Sequence, residues 1–341
     1  MSKLTIALDI MGGDHGPPVI LSAVQKAIQS ITDAQFILCG DENIILPALE
    51  SLTEEQRQRT VISHCEQIVE MGEPPTSALR NKKQSSMWKA LQLVESGVAD
   101  ACVSAGNTGA LLTMAFYLLK TLPGIDRPAL VSDMPTASHH RVFLLDLGAN
   151  VNCTSEILFQ YGVMASVLAE QISGIESPRV ALLNVGEEDI KGNAQVKYAD
   201  QLFKNAKGIN YIGYVEGDDI FTDYADVVVT DGFTGNIALK SCEGLAKLVI
   251  NEVKRQSQAN FFSRMMARIA LPLLKTVYNR VNPDQYNGAS LLGLRGIVIK
   301  SHGNASAEAF YYAILQAKQE AEMKVPEKIK SKIETVLLEQ L

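Results

Sequence analysis

The sequence has no Cys-x-x-Cys pair, no His-x-x-x-His pair and no apolar run long enough to cross a bilayer. It also lacks the usual glycine signatures of a nucleotide site. Each absence removes a class of protein. The five cysteines (Cys39, Cys65, Cys102, Cys153 and Cys242) are scattered, so neither a disulfide framework nor a thiolate zinc site is expected; they read as small core residues. Without paired histidines on one helix face, no metal site is expected. The longest apolar stretch, residues 110–119, is interrupted by Thr113 and stops at Lys120, far short of the roughly 20 residues a span needs. At the N-terminus Lys3 precedes a short apolar run that Asp9 ends, which is not the pattern of a signal peptide. A cytoplasmic location is the expectation. The net charge of −7 argues against a general nucleic-acid binder, whose affinity rests on cations neutralising phosphates.

What remains is a globular composition: 341 residues, 47% hydrophobic and 20% charged, enough for a substantial core. Short β-rich runs alternate with helical patterns. Candidate strands cover residues 4–9, 35–39, 60–64, 99–104, 141–147, 179–185, 211–215, 225–230 and 297–301. Several are almost continuously apolar, as in Val227-Val228-Val229, the pattern of strands buried on both faces of a parallel sheet. Helical patterns cover 19–31, 85–95, 109–120, 157–171 and 237–254. The expected fold is α/β, with a mainly parallel central sheet and helices on both faces. No linker divides the chain, so residues 1–341 read as a single domain.

The segments that follow the strands carry the chemistry. They are Met11-Gly12-Gly13-Asp14, Gly106-Asn107-Thr108-Gly109, Asp146-Leu147-Gly148-Ala149-Asn150, Gly186 to Asn193, Asp231-Gly232-Phe233-Thr234-Gly235-Asn236 and His302-Gly303-Asn304. Ligands of open parallel sheets bind beyond the carboxyl ends of the strands, so these loops are expected to meet around one crevice. Glycine there lets backbone N–H groups approach a ligand, and a helix starting at once favours an anion. Ordinary strand–helix turn chemistry explains any one such loop equally well; the set of six is what points to an anion site. There is no G-x-G-x-x-G after the first strand, no G-x-x-x-x-G-K-[ST] and no G-x-S-x-G, so nucleotide and serine-nucleophile sites lack support. Among cations, Lys191 lies between Gly186 and Asn193, with an exposed surface lysine as the alternative. Arg80, Lys82 and Lys83 read either as phosphate ligands or as a solvated helix start.

The ordered set of motifs resembles the bacterial phosphate acyltransferases of phospholipid synthesis, which draw their acyl group from acyl-carrier protein. Leu8-Asp9-Ile10-Met11-Gly12-Gly13-Asp14, Arg80 to Met87, Ser104 to Ala110, Asp146 to Asn150, Asn184 to Asn193, Val215-Glu216-Gly217 and Asp231 to Asn236 carry it, from the first strand to Gly303. Ile10 stands where that family is expected to have a small residue. The resemblance implies transfer of a fatty acyl group from acyl-carrier protein to inorganic phosphate, without a cofactor. It also implies a fold like that of the isocitrate and isopropylmalate dehydrogenases and the phosphate acetyltransferases, and a homodimer. It makes Lys191 and Asn236 the expected catalytic residues. Gly12, Gly13, Asp14, Lys82, Asn107, Thr108, Gly109, Asp146, Asn150, Asn193, Asp231, Thr234 and His302 are then expected to bind phosphate or substrate. Phosphate is already an anionic nucleophile, so the missing serine elbow fits this chemistry. A decarboxylating dehydrogenase on the related fold, and a membrane-associated scaffold without activity, are the competing readings.

Between Val253 and Pro283 there is no acidic residue, while Lys254, Arg255, Arg264, Arg268, Lys275 and Arg280 are basic. Phe262, Met265, Met266, Ile269 and Leu273 follow helical spacing, with Phe261 and Leu274 widening the apolar side. Pro272 is expected to break or kink the helix. Residues 254–280 therefore read as a protruding basic amphipathic segment for an anionic membrane surface or the acidic carrier protein, with a dimer-interface or core helix as the alternative.

Overall fold

The structure, a computed structural model, describes residues 3–138, 140–281 and 287–338. The first part of the chain forms β1 (Leu4–Asp9), α1 (Pro17–Ser30), β2 (Ala34–Gly40), α2 (Glu42–Leu49), α3 (Glu54–Gln58) and β3 (Thr60–His64). Then come α4 (Pro75–Asn81), α5 (Ser86–Glu95), β4 (Ala101–Ser104), α6 (Thr108–Leu119), β5 (Ala129–Pro135), β6 (Arg141–Leu145) and α7 (Ser155–Ser173). The chain continues through β7 (Arg179–Leu183), α8 (Ala194–Asn205), β8 (Asn210–Val215), β9 (Val227–Val229), α9 (Gly232–Gln258) and α10 (Phe261–Val281). It ends with β10 (Ala289–Leu292), β11 (Ile297–Lys300), α11 (Ala307–Met323) and α12 (Val325–Leu338).

The eleven strands of the described residues join one sheet in the order β3-β2-β1-β4-β11-β10-β5-β6-β9-β7-β8. Strand side chains alternate between faces, and each face has its own core. On β1, Ile6 and Leu8 pack with Val24 of α1 and Phe310 of α11, whereas Ala7 joins Leu91 of α5 and Met114 of α6. Helices therefore cover both faces there, which explains the near-continuous apolar strands. Side chains fix where several helices begin: Ser85, Asn107, Thr154, Asn193, Asp231 and Ser306 each accept a backbone N–H at the first turn of α5, α6, α7, α8, α9 and α11.

The nine expected strands are present, most with ends displaced by a residue or two. Two strands went unread, β5 and β10. β5 carries Asp133 and ends at Pro135, and β10 has only four residues, so neither shows a sustained apolar or alternating run. They are the antiparallel elements: β11–β10, β10–β5 and β5–β6 pair antiparallel, and the other neighbours pair parallel. Three reversals in succession make the β1 half and the β6 half of the sheet run in opposite directions.

Because of that reversal, the loops after strands of the β1 half and of the β6 half leave the sheet in opposite directions. Two expectations are corrected. Helix α9 starts at Gly232, capped by Asp231, so Thr234-Gly235-Asn236 lies inside its first turns instead of opening it. Helix α10 continues through Pro272 as one element from Phe261 to Val281. A proline deletes one backbone donor, and a long helix absorbs that loss without ending.

Candidate active site

Strand register determines where the loops meet. Lys300, the last residue of β11, pairs with Ala289, and the next residue of β10, Ser290, pairs with Val131 of β5. Val131 in turn pairs with Leu145, the last residue of β6. The carboxyl ends of β11 and β6 are thus level in the sheet although the strands point opposite ways. A cavity of about 1020 Å³ opens at this level. Thr108 borders it after β4, Lys300 and His302 at the end of β11, Gly148 after β6, and Asn236 after β9. Loops from both halves do share one crevice, by stagger and not by a common strand direction.

The cavity is two-sided in chemistry. Leu130, Met134, Leu147, Phe221, Leu239 and Leu245 give it apolar lining, while Lys240 and Lys300 bring cations, His302 an imidazole, and Asp133 and Glu243 carboxyl groups. Asn236, Leu239, Lys240, Glu243 and Ala246 line it from α9, at the i, i+3, i+4, i+7, i+10 spacing of one helix face. Glu243 lies 3.0 Å from Lys240 Nζ and 3.6 Å from His302 Nε2. Burial, against the pull of Glu243, holds the His302 pKa below its usual value. Burial likewise lowers that of Lys300 to about 8, although Asp14 and Asp9 favour its charge.

Of the expected site residues, Thr108, Asn236 and His302 line this cavity. Gly12 and Gly13 stitch loops together: a β-carbon on Gly12 would lie 2.7 Å from Gly106 N, and Gly13 has φ +90°. Asp14 donates its backbone N–H to Gly303 O at 2.7 Å. A β-carbon on Gly109 would lie 2.7 Å from the Pro75 ring.

The side chains of Asn107, Asp146 and Asn150 are engaged in hydrogen bonds within the scaffold. The Asn107 carboxamide caps Ala110 N at 3.0 Å and donates to the carbonyls of Glu70, Met71 and Glu73. Asp146 accepts N–H groups from Leu130, Gly148, Ala149 and Asn150, and a side-chain donor from Asn150. Asn150 also donates to Pro128 O at 2.8 Å and Tyr161 Oη at 2.6 Å. Burial pushes the Asp146 pKa up, against these donors.

Asn193 and Asp231 are helix caps, Asp231 accepting Thr234 N–H at 2.7 Å. Lys82 lies 3.9 Å from Glu73. Lys191 sits in the β7–α8 loop with its side chain 47% exposed, 4.0 Å from Glu188; it does not line the cavity. Residues that the sequence reading missed are Lys300, Lys240 and Glu243. The available signal for Lys300 was period two: in extended chain, residues 300 and 302 point to the same side.

The fold is an α/β fold similar to that of solved phosphotransacetylases. A phosphotransacetylase from Streptococcus pyogenes superposes with a TM-score of 0.62 over 94% of both chains at 18% identity. A putative 4-hydroxythreonine-4-phosphate dehydrogenase from Salmonella typhimurium does so at 0.55, with 14% identity over 93% of this chain and 99% of its own. At such identities the likeness concerns the fold. The model of the family described as fatty acid synthesis protein matches residues 4–328, and the chain belongs to that family. A relative from Pseudoalteromonas atlantica, named phosphate acyltransferase, is 61% identical over 339 residues, 99% of each chain.

Proposed function

We propose that the protein transfers a fatty acyl group from acyl-carrier protein to inorganic phosphate, giving an acyl phosphate for phospholipid synthesis. One observation carries this reading: a single cavity joins an apolar wall suited to an acyl chain with a cationic end suited to phosphate. The family membership and the name of the 61% identical relative agree with it. A phosphate oxygen attacks the thioester carbonyl, the C–S bond breaks, and the thiolate leaves with the electron pair. Phosphate supplies its own nucleophile, so the protein contributes position and electrostatic stabilisation. Asn236, on the cavity wall, donates to the developing oxyanion. Lys191, in the β7–α8 loop outside the cavity lining, is assigned to neutralise negative charge on the incoming substrate, and Thr108 and His302 orient the phosphate.

The fold reading extends to the isocitrate and isopropylmalate dehydrogenases. Residues 1–341 act as one catalytic domain, with residues 254–280 as its protruding segment. Phe261, Phe262, Met265, Ile269 and Leu273 of α10 are exposed, interspersed with Arg264 and Arg268. No helix of the described residues is long and apolar enough to cross a membrane. We therefore read α10 as a peripheral contact with an anionic membrane, and as a second use a contact with the acidic carrier protein. A cytoplasmic homodimer completes the reading; Leu248, Val249 and Val253 leave α9 an exposed apolar stripe for it. The decisive assay mixes purified protein, palmitoyl-carrier protein and phosphate, then measures free carrier thiol. Phosphate-dependent thiol release is expected, and its absence ends the proposal.

A further inference from the structure

The cationic end of the cavity contains a lysine that no other part of the fold explains. Lys300 is 6% exposed, and its Nζ donates to the carbonyls of Ala105, at 3.5 Å, and Ser301. An ammonium has three donors, so one remains for the cavity that Lys300 lines. Among the described residues no carboxylate lies within ion-pair distance of it. Asp9 accepts from Ser86 and Ser104 at 2.6 Å each, and Glu243 is shared by Lys240 and His302. A buried ammonium without an ion pair is costly to keep. Thr108, the first residue of α6, lines the same cavity, so the positive end of that helix adds to the field.

We propose that Lys300 is the cation that holds inorganic phosphate in this cavity, its ammonium meeting a phosphate oxygen at the corner bounded by Thr108, His302 and Lys240. The identity of the anion rests on the acyl-transfer reading. Lys300 keeps its proton during transfer; it binds the nucleophile and leaves bond making to the phosphate oxygen.

A pH dependence follows. The charged and titratable groups around Lys300 are Asp9 and Asp14 from β1 and the loop after it, Lys240 and Glu243 from α9, and His302 beyond its own strand. With its pKa lowered to about 8, empty Lys300 sheds its proton as the pH rises above that value. A bound dianion opposes the loss, so binding draws a proton onto Lys300. The Lys300 contribution to the affinity for the phosphate dianion is therefore full below about pH 8 and weakens above it, by up to about tenfold per pH unit until the bound-state pKa is reached.

Calorimetric titration of the full chain with inorganic phosphate tests this. Lys300→Met, which keeps length without charge, is expected to weaken phosphate at least about tenfold near pH 7. It should leave KM for the acyl donor within about twofold and abolish the alkaline fall in phosphate affinity. A folded Lys300→Met protein with wild-type phosphate affinity and pH dependence overturns the assignment. Should that variant not fold, the wild type answers instead. Titrations near pH 8.5, where free phosphate is already a dianion, in two buffers of different ionisation enthalpy, should show proton uptake that persists in His302→Gln. No uptake by the wild type, or its loss in His302→Gln, also overturns the assignment. Phosphate binding that depends on Lys300 in a protein that transfers no acyl group would sink the transfer reading alone. Transfer with unaltered phosphate affinity in Lys300→Met would sink only the role of Lys300.

Discussion

Gly235 lies so close to Asp146 that a β-carbon on it would sit 2.0 Å from the Asp146 carbonyl oxygen. Gly232 is as tightly placed, its own β-carbon position being 2.6 Å from Asn150 O. The first turns of α9 are thus laid directly on the loop after β6, and this contact sets where Asn236 faces the cavity. The obstacle to Gly235→Ala is backbone, so either the loop or the helix must shift. Overpacking of this kind costs about 1–3 kcal/mol, and a displacement near 1 Å at a reacting group can cost about a hundredfold in rate. Gly235→Ala is expected to lower the melting temperature by several degrees and turnover at least about tenfold. Gly244→Ala, on the same helix with nothing within 4 Å, serves as control. It should be neutral or stabilise by up to about 1 kcal/mol. Equal behaviour of the two variants would refute the packing argument.

A buried acid on the other side of β10 predicts a pH effect on stability. Glu320 of α11 is 1% exposed, accepting from Ser290 Oγ at 2.9 Å and Gln316 Nε2 at 2.8 Å. Burial raises its pKa from 4.5 to about 7, with Asp133 pushing the same way. Between those values the folded state holds a proton that the unfolded chain has released, so stability falls as the pH rises from 4.5 through 7. That gap corresponds to on the order of 3 kcal/mol once both states are ionised. Glu320→Gln keeps the shape, and Ser290 and Gln316 can each accept from the new amide. The variant should melt higher than wild type at pH 8 and close to it near pH 5. A difference independent of pH would show that Glu320 does not titrate this way.

The catalytic proposal predicts a split between rate and affinity. Asn236→Ala removes a donor aimed at charge that develops only in the transition state, so kcat should fall about 10²–10³-fold with KM little changed. Lys191→Ala should also lower kcat, and less of its effect should fall on phosphate affinity than with Lys300→Met. Near-normal turnover by folded Asn236→Ala or Lys191→Ala protein would remove that residue from the chemistry. Single-turnover release of carrier thiol, followed with phosphate saturating, separates these outcomes.

Much of the sheet was legible because strands such as β1 and β9 are buried on both faces and so are almost purely apolar. What could not be read was its reversal, since that lies in β5 and β10, where Asp133, Pro135 and short length hide the pattern. The loops were legible as a set, but not the task of each polar side chain. Asn107 and Asp231 accept N–H groups at helix starts, and a phosphate at those starts would seek the same donors. Cap and ligand therefore leave one signature in sequence. Lys300 was hidden for a different reason: a lysine ending an apolar strand reads as the boundary of the strand. Its buried ammonium is held by the carbonyls of Ala105 and Ser301, a contact that only the folded chain makes.

The exposed face of α10 predicts a membrane dependence that catalysis in solution should not share. Phe262 is 65% and Leu273 68% exposed, and the window around them has no acid to oppose an anionic surface. Each apolar side chain entering the headgroup boundary contributes about 1.5–3 kcal/mol when fully buried, and nearby Arg side chains add about 1 kcal/mol apiece at such a surface. Phe262→Asp or Leu273→Asp replaces that gain with a desolvation cost and a repulsion. Sedimentation with vesicles rich in anionic lipid should show at least about tenfold weaker binding for either variant. Release of carrier thiol without vesicles should stay within about twofold of wild type. Unchanged vesicle binding by both variants would end the membrane reading of α10. A fall in thiol release without vesicles, together with weaker pull-down of acyl-carrier protein, would instead assign the face to the carrier.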